Sequence, residues 1–121
     1  MFGEQLYLDG AHNPHAMARL IEFANSLTGK RVKVLFGALK RKDYSGMLEA
    51  LQAGLPEAEL ILTTFHYGEV VAQGDRQDLP YVADYKAYIQ EFMDQSRSDE
   101  VLFVTGSLYF IAEVRAFLLE A

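Results

Sequence analysis

The stretch Val101-Leu102-Phe103-Val104-Thr105-Gly106-Ser107 is an unbroken apolar run that ends in a glycine and a residue able to cap a helix. A strand without polar alternation is covered on both faces, as in a parallel sheet between two layers of helices. Similar short apolar runs recur upstream. On this basis four strands are predicted, at Gln5–Leu8, Val32–Phe36, Leu60–Thr63 and Val101–Val104.

Segments with helical periodicity separate these runs. The first follows Asn13, a good N-cap, and Pro14 suits the first helical position. Its apolar residues recur at helical spacing and form one stripe. Four helices are predicted, from about Pro14 to Leu27, from about Tyr44 to Ala53, from about Tyr81 to Gln95, and from near Ser107 onward.

The alternation of strands and helices predicts the fold class α/β, a three-layer Rossmann-like sandwich with a mostly parallel sheet. In such a doubly wound half-fold we expect the first and fourth strands side by side at the centre, with the second and third on one side. Residues 68–80 lack a clear period. They are predicted to form a long surface loop with room for one short extra strand.

The amino-acid composition excludes several classes of protein to which the chain could belong. The 121 residues suit one domain, residues 1–121, and half of them are hydrophobic. The net charge of -6 argues against binding to a nucleic-acid backbone. There is no cysteine, and the apolar runs are far shorter than the ~20 residues that span a bilayer. We therefore expect a cytoplasmic protein without nucleic-acid or membrane partners.

Ligands of open parallel sheets bind beyond the carboxyl ends of the strands. The first strand runs into Asp9, Gly10, His12 and Asn13. Asp9 could accept from a ribose hydroxyl, His12 could donate or accept a proton, and the helix N-terminus offers free N–H groups to an anion. The alternative is that Asn13 only caps the helix and Asp9 only braces the turn.

Two further strand ends are rich in polar residues. Residues 40–42 are Lys-Arg-Lys, which would suit a carboxylate or phosphate but could also be a solvated turn. Ser107 follows Gly106 and could cap the last helix or contact a ligand. No metal site is expected, because His12 and His15 have no third ligand nearby in sequence.

Together these motifs resemble one known family. The stretch Leu8-Asp9-Gly10-Ala11-His12-Asn13-Pro14-His15-Ala16 resembles the signature of folylpolyglutamate synthases and dihydrofolate synthases, which are Mur ligases. Phe36-Gly37-Ala38-Leu39-Lys40-Arg41-Lys42-Asp43 resembles the second block, Gly-Ala-Leu-x-Asp-Lys-Asp, with Arg41 in place of the usual acid. Val104-Thr105-Gly106-Ser107-Leu108-Tyr109 resembles the third block, followed by Glu113-Val114-Arg115. The three blocks follow in the family's order and cover the chain from end to end.

The resemblance implies the C-terminal domain of an ATP-dependent ligase that adds L-glutamate to folates or dihydropteroate through an acyl phosphate. ATP and Mg²⁺ are then the cofactors, with the metal held by a missing central domain. Only about seven residues precede the first motif, so we expect a domain excised from a longer chain. It would work with an N-terminal ATPase domain in cis, be inactive when isolated, and belong to a monomeric enzyme.

The family's roles map onto five positions. Asp9 matches the acidic ATP contact, and Asn13 matches the helix-starting residue of the same nucleotide-binding motif, where its role could be structural. His12 is the catalytic candidate that faces the reaction centre and orients glutamate or the acyl phosphate. Lys40 and Ser107 match residues that hold the incoming amino acid, although Arg41 leaves open which cation does so. The alternative function is a stand-alone α/β module that binds a nucleotide or small acid without catalysis.

Overall fold

Five parallel strands form one sheet in the computed structural model, which describes residues 5–120. The strand order is β1-β5-β2-β3-β4, and helices cover both faces. The predicted α/β fold class is confirmed. The elements are β1 (Leu6–Leu8), α1 (Pro14–Ser26), β2 (Arg31–Phe36), α2 (Tyr44–Gly54), β3 (Glu59–Thr63), a 3₁₀ turn (Gln73–Asp75), β4 (Tyr81–Val82), α3 (Tyr85–Gln95), β5 (Glu100–Thr105) and α4 (Leu108–Leu119).

The apolar strands supply both halves of the core, because successive side chains of a strand point to opposite faces. In β2, Val34 and Phe36 pack with α1 and α2, whereas Leu35 packs with α3 and α4. In β5, Phe103 faces the first layer and Leu102 the second. This two-sided burial is the reason that these strands lack polar alternation.

The strand order differs from the expected one in a single respect. β1 and β5 are neighbours, and β2 and β3 lie on one side of them, as predicted. However, β1 is the edge strand of the described sheet rather than a central one, because β5 lies between β1 and β2. β5 makes the longer ladder with β2, six residue pairs against three with β1. The centre of the sheet therefore belongs to β5 and β2.

The predicted start of the third helix is wrong. Tyr81 and Val82 form β4 instead, because the edge of β3 pairs with them: the Leu62 amide donates to the Pro80 carbonyl at 2.8 Å. The Thr63 hydroxyl also donates to the Val82 carbonyl, at 2.7 Å. α3 then begins at Tyr85. The expected extra strand thus exists, but it lies directly after residues 68–80 rather than within them.

Candidate functional site

The loops after β1 and β5 meet at the carboxyl edge of the sheet. A methyl group on Gly10 would lie only 2.5 Å from Cδ2 of Leu108, so the first loop passes directly over the start of α4. The buried Thr105 hydroxyl donates to the Ala11 carbonyl at 3.4 Å. Asp9, His12 and Ser107 consequently share one edge, as the predicted adjacency of their strands requires.

The loop after β2 is packed equally closely against the other side of the β5 loop. Gly106 has a φ of 118°, and a methyl group there would collide with the carbonyl of Gly37. The Gly37 amide donates to the Thr105 carbonyl at 3.0 Å. The close approach of two backbones therefore brings the basic loop, residues 37–43, beside Ser107.

Within the first loop, two side chains hold the backbone in place. Asp9 Oδ1 accepts from the Ala11 amide at 2.9 Å, which leaves its second oxygen available to a ligand. His12 Nδ1 lies 2.9 Å from the Gly10 carbonyl oxygen, and a carbonyl can only accept. Nδ1 is therefore the donor, so the neutral ring keeps its lone pair on Nε2. Asp9 braces the turn without losing its capacity to accept.

The two helix caps of the site are confirmed in their structural role. Asn13 Oδ1 accepts from the Ala16 amide at 2.9 Å and caps α1. Ser107 Oγ accepts from the Tyr109 amide at 3.2 Å and caps α4. Ser107 is only 4% exposed. Because it acts as an acceptor in the cap, its hydroxyl proton remains available to a substrate oxygen.

Lys40 is held by the segment that follows β3. Its amide donates to the Glu69 carbonyl at 2.9 Å, and its ammonium lies 3.7 Å from Asp75 Oδ2. Asp75 is fixed in turn by the Ala72 amide at 2.8 Å. Among residues 5–120, Arg41 and Lys42 form no ion pair. The three cations of the basic loop thus differ in their surroundings, and only Lys40 is partly neutralised.

Glu113 was not predicted as a site residue, yet it joins three elements. The Tyr85 hydroxyl of α3 donates to Glu113 Oε2 at 2.6 Å, and the His66 amide after β3 donates to Oε1 at 2.9 Å. The His66 ring lies 3.1 Å from Oε2. Burial by itself would raise the pKa of Glu113, but the hydrogen bonds from Tyr85 and His66 outweigh it and hold that pKa below its ordinary value. Its place just after the third block is the only signal in the sequence.

Two further properties concern metals and membranes. No group of three His, Cys, Asp or Glu residues able to hold a metal ion occurs between residues 5 and 120. In the same range, no helix is long and apolar enough to cross a membrane.

The chain is similar to folylpolyglutamate synthases in both sequence and structure. It is 32% identical to the dihydrofolate synthase/folylpolyglutamate synthase of Bacillus subtilis, over 91% of this chain and 27% of that protein. A bifunctional folylpolyglutamate synthase/dihydrofolate synthase from Yersinia pestis, complexed with AMPPNP and Mn, superposes with a TM-score of 0.81 at 25% identity, over 94% of this chain and 28% of that one. A structure of a bifunctional enzyme of the same name with Mn, AMPPNP and L-glutamate bound gives 0.79 at 25% identity, over 94% and 29%.

The chain therefore spans less than a third of the length of these relatives. Within the chain the similarity is almost continuous. The family model described as Mur ligase, glutamate ligase domain, matches residues 2–108, and the chain belongs to that family.

Proposed function

We propose that this chain is the C-terminal glutamate ligase domain of an ATP-dependent enzyme that joins L-glutamate to folates or dihydropteroate. The observation that carries the proposal is the meeting of three loops at one edge of the sheet, with Asp9 and His12, Ser107, and the basic residues 40–42 on neighbouring strands. Family membership supports it, because relatives of the same fold are folylpolyglutamate synthases.

The nucleotide is assigned to the first loop. Asp9 has one carboxylate oxygen left after bracing the turn, and that oxygen can accept from a ribose hydroxyl. Asn13 starts α1, whose first N–H groups favour an anion. Two structural relatives were solved with AMPPNP and Mn. Residues 5–120 offer no cluster of metal ligands, and we place Mg²⁺ on a domain of the same polypeptide outside these 121 residues, where it would neutralise the phosphates.

The incoming glutamate is assigned to the basic loop and Ser107. Glutamate carries two carboxylates, and a row of three cations in a protein of net charge -6 is suited to receive them. Ser107 can donate its hydroxyl proton while it caps α4. One glutamate ligase relative was solved with L-glutamate bound. Lys40 remains our first choice for the carboxylate, with Lys42 and Arg41 as the neighbours that could replace it.

The proposed reaction has two steps. The acceptor's carboxylate takes the γ-phosphoryl group of ATP, which gives an acyl phosphate and ADP. The amine of L-glutamate then attacks the acyl carbon, loses a proton and expels phosphate, so that an amide bond forms. His12 can accept that proton at Nε2, because its Nδ1 proton is fixed on the Gly10 carbonyl.

The proposal also covers the domain organisation, the oligomeric state and the location of the enzyme. We propose that residues 1–121 are one domain, that an ATPase domain precedes it in the same chain, and that the enzyme acts as a monomer in the cytoplasm. The phosphate-binding and metal-binding groups then belong to the preceding domain, so the isolated 121-residue chain should not turn over ATP.

The test is a ligase assay of the full-length gene product with ATP, Mg²⁺ and L-glutamate, offered dihydropteroate or a reduced folate. Formation of the glutamylated product with release of ADP supports the proposal. A gene product without ligase activity that still binds a nucleotide or a small acid would favour the stand-alone binding module. Magnesium-dependent ATP turnover by the purified 121-residue chain would contradict the division between two domains.

A further inference from the structure

Two exposed tyrosines form a flat aromatic surface at the carboxyl edge of the sheet. The rings of Tyr67, after β3, and Tyr109, in the first turn of α4, stack with centroids 3.8 Å apart and planes within 10° of parallel. They are 42% and 46% exposed, and the adjacent Leu108 is 56% exposed. Stacking uses only one face of each ring. We call Tyr67 and Tyr109 the tyrosine pair.

Hydrogen bonds to Glu113 hold the two segments that carry the tyrosine pair together. Glu113 lies one helical turn after Tyr109 in α4 and accepts from both the backbone of His66 and the hydroxyl of Tyr85. These bonds clamp the residue before Tyr67 onto α4. The exposed rings therefore have a defined place at low cost in conformational entropy, which is the property of an aromatic binding surface.

A cation accompanies the tyrosine pair. Leu39 and Val70 form an antiparallel bridge, and the Lys40 amide donates to the Glu69 carbonyl at 2.9 Å. This pairing places Arg41 opposite Gly68, next to Tyr67. Arg41 is exposed and forms no ion pair within the described range 5–120. A flat aromatic surface and an exposed guanidinium thus lie together, and Tyr109 is only two residues after Ser107.

We propose that the tyrosine pair and Arg41 form a subsite for the aryl-glutamyl part of the acceptor, in which an aromatic ring stacks on a tyrosine and Arg41 binds the α-carboxylate of an attached glutamate, the carboxylate that does not react. This inference rests on the proposed function, because folates carry a p-aminobenzoyl ring joined to glutamate. Dihydropteroate has the ring without the glutamate. Dihydropteroate reacts through the carboxylate on the ring itself, so its ring lies one glutamyl unit nearer the reacting atoms than the ring of a folate. It therefore serves as the acceptor that does not fill the subsite.

The experiment measures acceptor kinetics in the full-length enzyme. Tyr109→Leu and Tyr67→Leu should raise the KM for reduced folate by roughly three- to tenfold, the usual range for a lost aromatic contact, and leave that for dihydropteroate unchanged. Arg41→Gln should raise the KM for reduced folate by about three- to fivefold and leave that for dihydropteroate unchanged. A rise in the KM for L-glutamate instead would assign Arg41 to the incoming amino acid and overturn its part in the subsite. The KM values for ATP and glutamate should stay flat in the tyrosine variants.

Phe23→Leu is the matched control, because Phe23 is an aromatic residue of α1 with 45% exposure, outside the three loops. It should not alter any KM. An unchanged KM for reduced folate in folded tyrosine variants would overturn the proposal. A selective rise in the KM for ATP would assign the surface to adenine, and a fall in kcat for all substrates would assign it to a neighbouring domain; either result also overturns it.

A second measurement separates failure of this inference from failure of the proposed function. Nuclear magnetic resonance can follow the tyrosine rings of the 121-residue chain during titration with p-aminobenzoyl-L-glutamate, with L-glutamate alone as the reference. We expect the tyrosine resonances to shift on titration, and we expect Tyr109→Leu to abolish these shifts. This result is expected even if the full-length enzyme proves to have another activity. If that enzyme is not a ligase and the tyrosine resonances do not shift during the titration, both the subsite and the proposed function are refuted.

Discussion

Replacing Gly106 by alanine tests the close approach that assembles the site. Gly106 has a φ of 118°, a conformation that side chains with a Cβ rarely adopt, and such strain costs about 1–3 kcal/mol. A methyl group there would also lie 2.9 Å from the carbonyl carbon of Gly37. The Gly37 carbonyl belongs to the backbone, and the position of a Cβ is fixed by its own backbone, so neither atom can rotate away; overpacking of this kind costs about another 1–3 kcal/mol. We expect a total loss of about 2–6 kcal/mol in unfolding free energy.

Gly29→Ala provides a matched control. Gly29 also has a positive φ, 78°, but nothing lies within 4 Å of the position that a methyl group would occupy. Only the backbone penalty applies there, about 1–2 kcal/mol. Equilibrium unfolding in urea of the 121-residue chain measures both losses. The excess loss of Gly106→Ala reports the clash with Gly37 together with any extra backbone strain at a φ of 118°.

The comparison can refute the reasoning in a direct way. If Gly106→Ala and Gly29→Ala lose the same free energy, the loops after β5 and β2 do not approach as closely as the structure shows. In that case Ser107 and the basic loop need not share a ligand. A larger loss for Gly106→Ala supports the contact on which the proposed glutamate site depends.

Two further predictions concern charged residues. In the full-length enzyme, Lys40→Ala should raise the KM for glutamate by roughly ten- to a hundredfold with little change in the KM for ATP, because a charge-assisted hydrogen bond is worth about 1.5–3 kcal/mol. Arg41→Ala and Lys42→Ala show which of the three cations binds the carboxylate of the incoming glutamate. If none of the three variants changes the KM for glutamate, the basic loop is not the glutamate site. Glu113→Gln should destabilise the chain by about 1–2 kcal/mol at neutral pH. The lowered pKa of Glu113 makes its contribution full above the ordinary carboxyl pKa and lost as pH falls through the lowered value, so urea unfolding of the two proteins should converge in acid. A constant difference across that range would contradict the assignment.

The strands and the site loops could be predicted because their signals are local. The apolar run of β5 and the Gly106-Ser107 stop lie within seven residues, and the parallel topology then aligns the strand ends. Asn13 and Ser107 were recognisable as caps from residue type and position alone. The edge position of β1 was missed because adjacency to β5 does not decide what, if anything, lies on its other side.

The remaining errors arose where distant residues decide the outcome. Val82 fits the helical stripe of Tyr85, so periodicity extended α3 too far; hydrogen bonds from the edge of β3 place it in β4 instead. The pairing of Lys40 with Asp75 has no local signal, because 35 positions and a whole strand–helix unit separate them in sequence. Glu113 likewise acquires its role only through Tyr85 and His66, which come from other elements.

The polar residues of the edge divide into fixed and free groups, and this division bears on how glutamate would bind. Ser107 is buried and its hydroxyl oxygen is held by the cap hydrogen bond. Its side chain therefore has a fixed position, and a ligand must approach that position to be bound. Lys40 is tethered to Asp75 by a partly exposed ion pair, which an incoming carboxylate can replace at little cost. Fixed donors favour orientation of the substrate, whereas exposed cations favour its capture by attraction at longer range. On the proposed assignment, the basic loop would attract glutamate and Ser107, after the neighbouring strand, would orient it. Substitutions in the basic loop should therefore affect the KM for glutamate more than kcat.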